Sequence, residues 1–293
     1  MRLPDVIGIG PPRTGSTWLY NVLRGVVDMP DGVKDTRFFD QFSDKGMEWY
    51  ASHFRYATGD RKVVEICPGI FFKPDARELI KTCIPACKVF TTMRNPVDRT
   101  YSVYKLLRYY GWVRKGSFDE IVNAWPNLAG RNRYAAHLEG WFESFGRENV
   151  LVTMYDELRD EPQSYVNRVC DFIGVGRVVL APRADLGADV NSFARAPKNF
   201  RLARRATTVN NWLKSRRAYG VQSVLERAGI WEFCRSRGEI YPRLTPEQEE
   251  RLRERFLPEV EALERLLAID LSSWKKPRAA NEHELAVKRR ARG

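Results

Sequence analysis

Residues Gly10-Pro11-Pro12-Arg13-Thr14-Gly15-Ser16-Thr17-Trp18-Leu19 lead from an apolar, β-branched run straight into a helical pattern. A strand, turn and helix in that order aim backbone N–H groups and the positive end of a helix dipole at one point, and such a point attracts an anion. Gly10 and Gly15 keep the four-residue spacing of a nucleotide phosphate loop, but Ser16 stands where that loop requires Lys. The nearby cation is Arg13. Its guanidinium can fork onto two oxygens of a phosphate or sulfate, while Ser16 and Thr17 add hydroxyl donors. The competing reading is a tight turn in which Gly and Pro serve geometry alone.

A second group follows at Arg94-Asn95-Pro96-Val97-Asp98-Arg99-Thr100-Tyr101-Ser102. Ligands of open α/β sheets collect outside the carboxyl ends of strands, and Arg94 closes the run Lys88–Met93. Pro96 suits the first position of a helix, which carries Ser102 two turns inward. Arg94 and Ser102 so placed can hold a second phosphate together. Asp98 and Arg99 read as surface or capping residues.

Four runs predict strands, Val6–Ile9, Val63–Ile66, Lys88–Met93 and Val150–Met154, and their lack of strict alternation suits parallel strands covered on both faces. Helical spacing links Leu19, Val22, Leu23 and Val26, and again Tyr134, Leu138, Trp141, Phe142 and Phe145. Thr245-Pro246-Glu247-Gln248 has the form of a capping box and predicts a helix to about Ala268. Residues 182–217 show no sustained period and read as a loop-rich excursion over the mouth of the site. The expected fold is a P-loop-like α/β single domain over residues 1–274, a mostly parallel sheet of about five strands with helices on both faces, followed by a frayed basic tail, 275–293.

The chain has 293 residues, 43% hydrophobic and 29% charged, which is ordinary globular composition. Its apolar runs fall far short of a membrane span, and its first residues lack the pattern of a signal peptide, so a cytoplasmic protein is expected. Five scattered cysteines without a CxxC pair suggest neither a disulfide framework nor a zinc knuckle. The formal charge of +12 favours an anionic ligand without distinguishing nucleic acid, phosphate and sulfated sugar.

Taken together, the segments at residues 10–19 and 94–104 resemble the 5′-phosphosulfate and 3′-phosphate binding elements of sulfotransferases that use 3′-phosphoadenosine 5′-phosphosulfate (PAPS). Lys34-Asp35-Thr36-Arg37-Phe38-Phe39-Asp40 and Lys45-Gly46-Met47-Glu48-Trp49-Tyr50 are similar to a stretch of the heparan sulfate members of that family, as is Glu65-Ile66-Cys67-Pro68-Gly69-Ile70-Phe71-Phe72. Cys234-Arg235-Ser236-Arg237-Gly238-Glu239-Ile240-Tyr241-Pro242 resembles the loop that closes over the nucleotide. The likeness runs from about residue 5 to residue 274.

The resemblance implies a bacterial-type soluble enzyme that moves a sulfuryl group from PAPS to a hydroxyl or amine, with no metal. It assigns Arg13, Thr14, Gly15, Ser16 and Thr17 to the 5′-phosphosulfate, Arg94 and Ser102 to the 3′-phosphate, and Arg237 and Gly238 to the nucleotide cover. Arg13 stands where many members have Lys; it can stabilise leaving charge but does not give up a proton. Asp35 takes the place of a catalytic Glu, one methylene shorter, with a cap or a partner of Lys34 as its structural alternative. His137 matches a helix lining the acceptor cleft and is otherwise a structural histidine; Lys34 and Arg37 are acceptor-binding candidates, and His53 reads as surface. Ile66-Cys67 replaces a Lys-Thr/Ser pair, which removes a cation from beside the acceptor. The acceptor is expected to be a small molecule or glycan, with no specific nucleic acid partner and no membrane span. A P-loop kinase using Asp156-Glu157 to hold magnesium, and a basic nucleic-acid binder, are the alternatives.

Overall fold

The computed structural model describes residues 2–57, 59–114, 116–124, 133–181, 195–235 and 238–277. The chain divides into two compact units, Met1–Pro242 and Arg243–Gly293.

The first unit is built on β1 (Val6–Gly10), β2 (Val64–Ile66), β3 (Lys88–Met93) and β4 (Val150–Met154), all parallel in the order β2-β1-β3-β4. The described residues thus contain four strands where the sequence predicts about five. Parallel neighbours require crossovers, supplied here by α1 (Ser16–Leu23), α2 (Gly46–Ala51), α3 (Pro74–Cys83), α4 (Pro96–Tyr109), α5 (Phe118–Ala124) and α6 (Tyr134–Phe145). The chain leaves β1 toward β2 on one side and returns to β3 on the other, so the carboxyl ends of β1 and β3 diverge into a crevice, the switch point where such sheets bind ligands.

Val6, Ile7, Ile9, Val64, Ile66 and Val89 are buried, as two-sided coverage of a parallel sheet demands. On one face Leu19 and Leu23 of α1 meet Val166, Val169 and Ile173 of α8 (Pro162–Ile173), which follows the short α7 (Tyr155–Asp160). Polar atoms inside are paired: the Thr92 hydroxyl lies 3.0 Å from Thr153 Oγ1 and 2.7 Å from the Tyr165 hydroxyl.

Three expectations need correction. Residues 182–194 lie outside those described, but most of the remaining stretch to Arg217 is helical, as α9 (Phe200–Ser215), and α10 (Tyr219–Arg227) and α11 (Ile230–Arg235) follow it. Asn199 caps α9 by accepting from Arg201 N and Leu202 N at 3.0 and 3.1 Å, and Ala203, Ala206, Thr207 and Leu213 form its buried face. Arg99 is buried rather than surface, its guanidinium 5.1 Å from the Phe72 ring centre, because it shares the inward face of α4 with Ser102. His53 is also buried, with Nδ1 3.0 Å from the Trp49 carbonyl and Nε2 3.1 Å from the Tyr219 hydroxyl.

The second unit holds α12 (Pro246–Leu267) and α13 (Ser272–Lys275). Thr245 and Gln248 form the expected capping box, and Leu252, Phe256, Val260 and Leu263 make a single buried stripe on α12. Residues 278–293 of the basic tail lie outside those described.

Candidate active site

The turn after β1 is shaped by residues in left-handed backbone. Gly10 (φ 102°), Arg13 (φ 77°) and Gly15 (φ 87°) all have positive φ. A Cβ at Gly10 would run into the Pro68 carbonyl, so glycine is required there by close approach as well as by φ. Arg13 holds a strained conformation for a side-chain-bearing residue, a cost of about 1–3 kcal/mol that a functional turn can carry. Thr14 is buried and donates its hydroxyl to the Pro11 carbonyl at 2.8 Å, stiffening the loop. Gly15 is the N-cap of α1, and Ser16 and Thr17 open that helix.

Two contacts join this turn to the second group. Arg13 Nε donates to Ser102 Oγ at 2.8 Å, and an Arg94 terminal nitrogen donates to the Arg13 carbonyl at 3.0 Å. Arg94 also lies over the Tyr155 ring, 4.3 Å from its centre, and its Nε is buried with no hydrogen-bond partner among the described residues. Asn95 caps α4 by accepting from Val97 N at 2.9 Å with Pro96 at the first helical position, which fixes where Ser102 falls. The two predicted anion groups are therefore one cluster at the carboxyl ends of β1 and β3.

Lys34 reaches the same cluster from a loop, donating from Nζ to Ser16 Oγ and Thr17 Oγ1, both at 3.2 Å. Burial is the main reason its pKa is lowered, and the positive charges of Lys214 and Arg13 push the same way against Asp35. The next residue, Asp35, accepts from Arg37 N at 2.9 Å and faces the buried Cys67 thiol. Arg37 has φ 59°, and its guanidinium lies 3.9 Å from the Asp40 carboxylate and 3.5 Å from Asn211 Oδ1. Asp40 is raised to about 6, first by burial and then by the charge of Asp35.

Beneath this loop lies Glu65, fully buried, which accepts from Thr36 N at 2.8 Å, Thr36 Oγ1 at 2.6 Å and the Tyr50 hydroxyl at 2.6 Å. Its pKa rises to about 7, because burial disfavours the charged form and Asp35 adds a like charge. Ligand atoms of Asp35, Glu65 and Cys67 lie within 4.8 Å of one another.

Gly238 donates from its N–H to the Ala196 carbonyl at 2.7 Å beside the antiparallel bridge of Arg195 and Ile240. The segment is held against α4: the Tyr101 hydroxyl donates to the Pro242 carbonyl, and Tyr241 meets Tyr104 edge-on at 6.1 Å. It thereby stands near the helix that carries Ser102, whereas Arg237 lies outside the described residues. His137 on α6 packs beside Phe72, which stacks on Tyr134, whose hydroxyl donates to the Arg94 carbonyl at 3.0 Å. The half-buried His137 ring stands edge-on to Phe72 at 5.3 Å, its pKa lowered by burial and by Arg133 and Arg77, and no contact among the described residues joins it to Asp35. Asp156 and Glu157, the magnesium candidates, are paired with Arg159 at 3.1 Å and Arg168 at 2.6 Å.

Residues 3–264 match the family model described as the sulfotransferase domain. The chain belongs to the sulfotransferase domain family. Among curated relatives it is similar to the bifunctional heparan sulfate N-deacetylase/N-sulfotransferase 1 of Mus musculus, 27% identical over 200 residues, which is 61% of this chain and 23% of that one. It is also similar to heparan sulfate glucosamine 3-O-sulfotransferase 6 of Mus musculus, 26% identical over 213 residues, 70% of this chain and 60% of that one. The chain thus matches about a quarter of the length of the first of these sulfotransferases and three fifths of the second. Among solved structures, a sulfotransferase from Alicyclobacillus acidocaldarius superimposes with a TM-score of 0.67 at 20% identity, covering 94% of this chain and all of that one, which establishes a shared sulfotransferase fold.

The sequence reading missed Glu65, Asn211 and Lys214. Lys214 on α9 is largely buried and feels the charge of Asp35. The signals for α9 were present in Asn199 as a cap and in the spacing of Ala203, Ala206 and Leu213.

Proposed function

We propose that the protein transfers a sulfuryl group from PAPS to a hydroxyl or amine of an acceptor, without a metal. The observation that carries this reading is the convergence of Arg13, Ser102 and Arg94 at the divergent carboxyl ends of β1 and β3. The buried, unpartnered Nε of Arg94 is a donor that a 3′-phosphate oxygen satisfies, and the backbone of residues 13–17 with the Ser16 and Thr17 hydroxyls suits the 5′-phosphosulfate. Gly238 and Arg237 cover the nucleotide.

In this account the acceptor oxygen or nitrogen attacks sulfur in line as the bond from sulfur to the bridging oxygen breaks. That oxygen departs on the adenosine bisphosphate. Arg13 stabilises its growing negative charge, and Asp35 takes the proton from the acceptor. Glu65 holds Asp35 in place through the Thr36 backbone, and the Cys67 thiol packs beside it. Both Glu65 oxygens already accept hydrogen bonds and burial keeps the Cys67 thiol protonated, so the cluster suits a hydrogen-bonded network better than a metal cage.

Arg37, Lys34 and Lys214 around Asp35 favour an acceptor bearing acidic groups, and the names of the relatives point to a carbohydrate. Lys214 supplies from α9 a cation that Ile66-Cys67 does not provide. The test is transfer of labelled sulfate from PAPS to a panel of acidic and neutral oligosaccharides. Label in an acidic sugar is the expected result; turnover of ATP in place of PAPS would refute the proposal.

A further inference from the structure

Helix α9 presents two chemically different faces. Ala203, Ala206 and Leu213 are buried, and the same side supplies Asn211 and Lys214 to the site. At about 100° per residue, Arg201, Arg205, Val209, Trp212 and Arg216 fall on one outward stripe. Val209 and Trp212 are 48% and 57% exposed, and the three arginines are exposed as well. The following helix, α10, exposes Val221 and Val224 one turn apart, at 52% and 56%. Residues 195–235 hold ten Lys and Arg against Glu226 and Glu232 alone.

Large apolar side chains at this exposure on a strongly basic pair of helices have the composition of an interfacial element. The rings and branched chains enter the headgroup boundary while guanidinium groups meet lipid phosphates. We propose that the outward faces of α9 and α10 dock the protein peripherally on an anionic lipid bilayer. Charge complementarity selects this occupant. A second copy docked on this face would bring Arg201, Arg205 and Arg216 against their own counterparts, and like charges oppose that pairing.

Docking through the outer face of α9 would set the site about one helix diameter, roughly 10 Å, from the headgroup plane. An acceptor carried on that surface then lies within reach of Asp35. The docking itself does not depend on the sulfuryl-transfer reading, since it rests on a face that contributes nothing to the site.

The test is co-sedimentation of the full chain with vesicles of phosphatidylcholine alone or mixed with phosphatidylglycerol, without nucleotide or acceptor. Binding to the mixed vesicles should be at least about tenfold tighter and should weaken steeply with salt. A triple variant, Trp212→Ser, Val221→Ser and Val224→Ser, should lose at least about tenfold in affinity while keeping its circular dichroism, since all three positions are more than half exposed. Arg201→Glu with Arg205→Glu tests the cationic contribution separately and should abolish the preference for phosphatidylglycerol. Equal binding to both vesicles, no binding to either, or full retention by both variants would overturn the proposal. So would lipid-free dimerisation that the triple variant abolishes, which would assign the face to a second copy.

Discussion

Arg13 Nε donates to Ser102 Oγ across 2.8 Å, linking positions 89 residues apart in the chain. The bond ties the turn after β1 to the second turn of α4, so the groups suited to the two ends of an adenosine bisphosphate are positioned by each other. Arg94, donating to the Arg13 carbonyl from the end of β3, closes the arrangement from the third side. Three elements that the parallel sheet brings together thus form the single cluster proposed to hold the bisphosphate.

That site separates binding from chemistry. Arg13→Gly removes the guanidinium and also relieves a positive φ, so its melting point should stay within a few degrees of the parent while kcat falls at least about a hundredfold and adenosine bisphosphate binds about tenfold more weakly. Asp35→Asn should lower kcat by a similar factor with bisphosphate affinity unchanged. Single-turnover kinetics and calorimetric titration separate the two; equal loss of affinity in both variants would remove Asp35 from the role of base.

Glu65 links the acid cluster to stability. Its folded pKa of about 7 lies above the 4.5 of an ordinary glutamate, so the folded state binds more protons between those values, and its contribution falls as pH rises through that window. His53 and His137, whose pKa values are lowered, act in the opposite direction over part of the range. The difference between the parent and Glu65→Gln isolates the glutamate. Measured by urea unfolding, that difference should shift against the parent by on the order of 2–3 kcal/mol from pH 4.5 to pH 7 and then level off. A flat difference curve would contradict the raised pKa that burial, and after it the charge of Asp35, gives Glu65.

Acceptor recognition should depend on Lys214 more than on the nucleotide cradle. Lys214→Met is expected to raise KM for an acidic acceptor about tenfold, to change KM for a neutral one by less than about threefold, and to leave bisphosphate affinity unchanged. Steady-state kinetics on a matched acidic and neutral pair reads this directly. An equal effect on both acceptors would mean that Lys214 serves packing.

The turn itself can be tested through its glycines. Gly10→Ala must place a methyl group against the Pro68 carbonyl at φ 102°, and should cost at least about 2 kcal/mol. Gly25→Ala meets nothing within 4 Å and should be nearly neutral. Thermal unfolding of the pair checks the close approach of β1 to the segment after β2.

Local signals made the sheet and the cradle readable from sequence. Each strand is a short apolar run, and Gly10, Gly15, Asn95 and Pro96 mark their turns and caps by backbone chemistry that acts within a few residues. Arg13 and Ser102 were each recognisable as candidate anion ligands, whereas the bond between them depends on β1 and β3 lying side by side. Glu65 illustrates what stays hidden: within a strand expected to be covered on both faces, nothing nearby in sequence shows that Thr36 and Tyr50 arrive from elsewhere to satisfy its carboxylate. The surface readings of His53 and Arg99 failed for the same reason, since aromatic neighbours distant in sequence, Tyr219 and Phe72, pack against them. The loop assigned to residues 182–217 failed over Phe200–Ser215 for a different reason, because its many arginines mask the alanine and leucine stripe that folds α9.

The most direct test of the account compares thermal stabilisation by 3′-phosphoadenosine 5′-phosphate with that by magnesium ATP in moderate salt. A ligand of the native state at about 100 times its dissociation constant adds roughly 2.7 kcal/mol, which moves the melting point of a chain this size by several degrees. The account predicts such a shift with the bisphosphate, its loss in Arg94→Ala, and no comparable shift with magnesium ATP. A shift with magnesium ATP alone would contradict it and make the turn after β1 a triphosphate site.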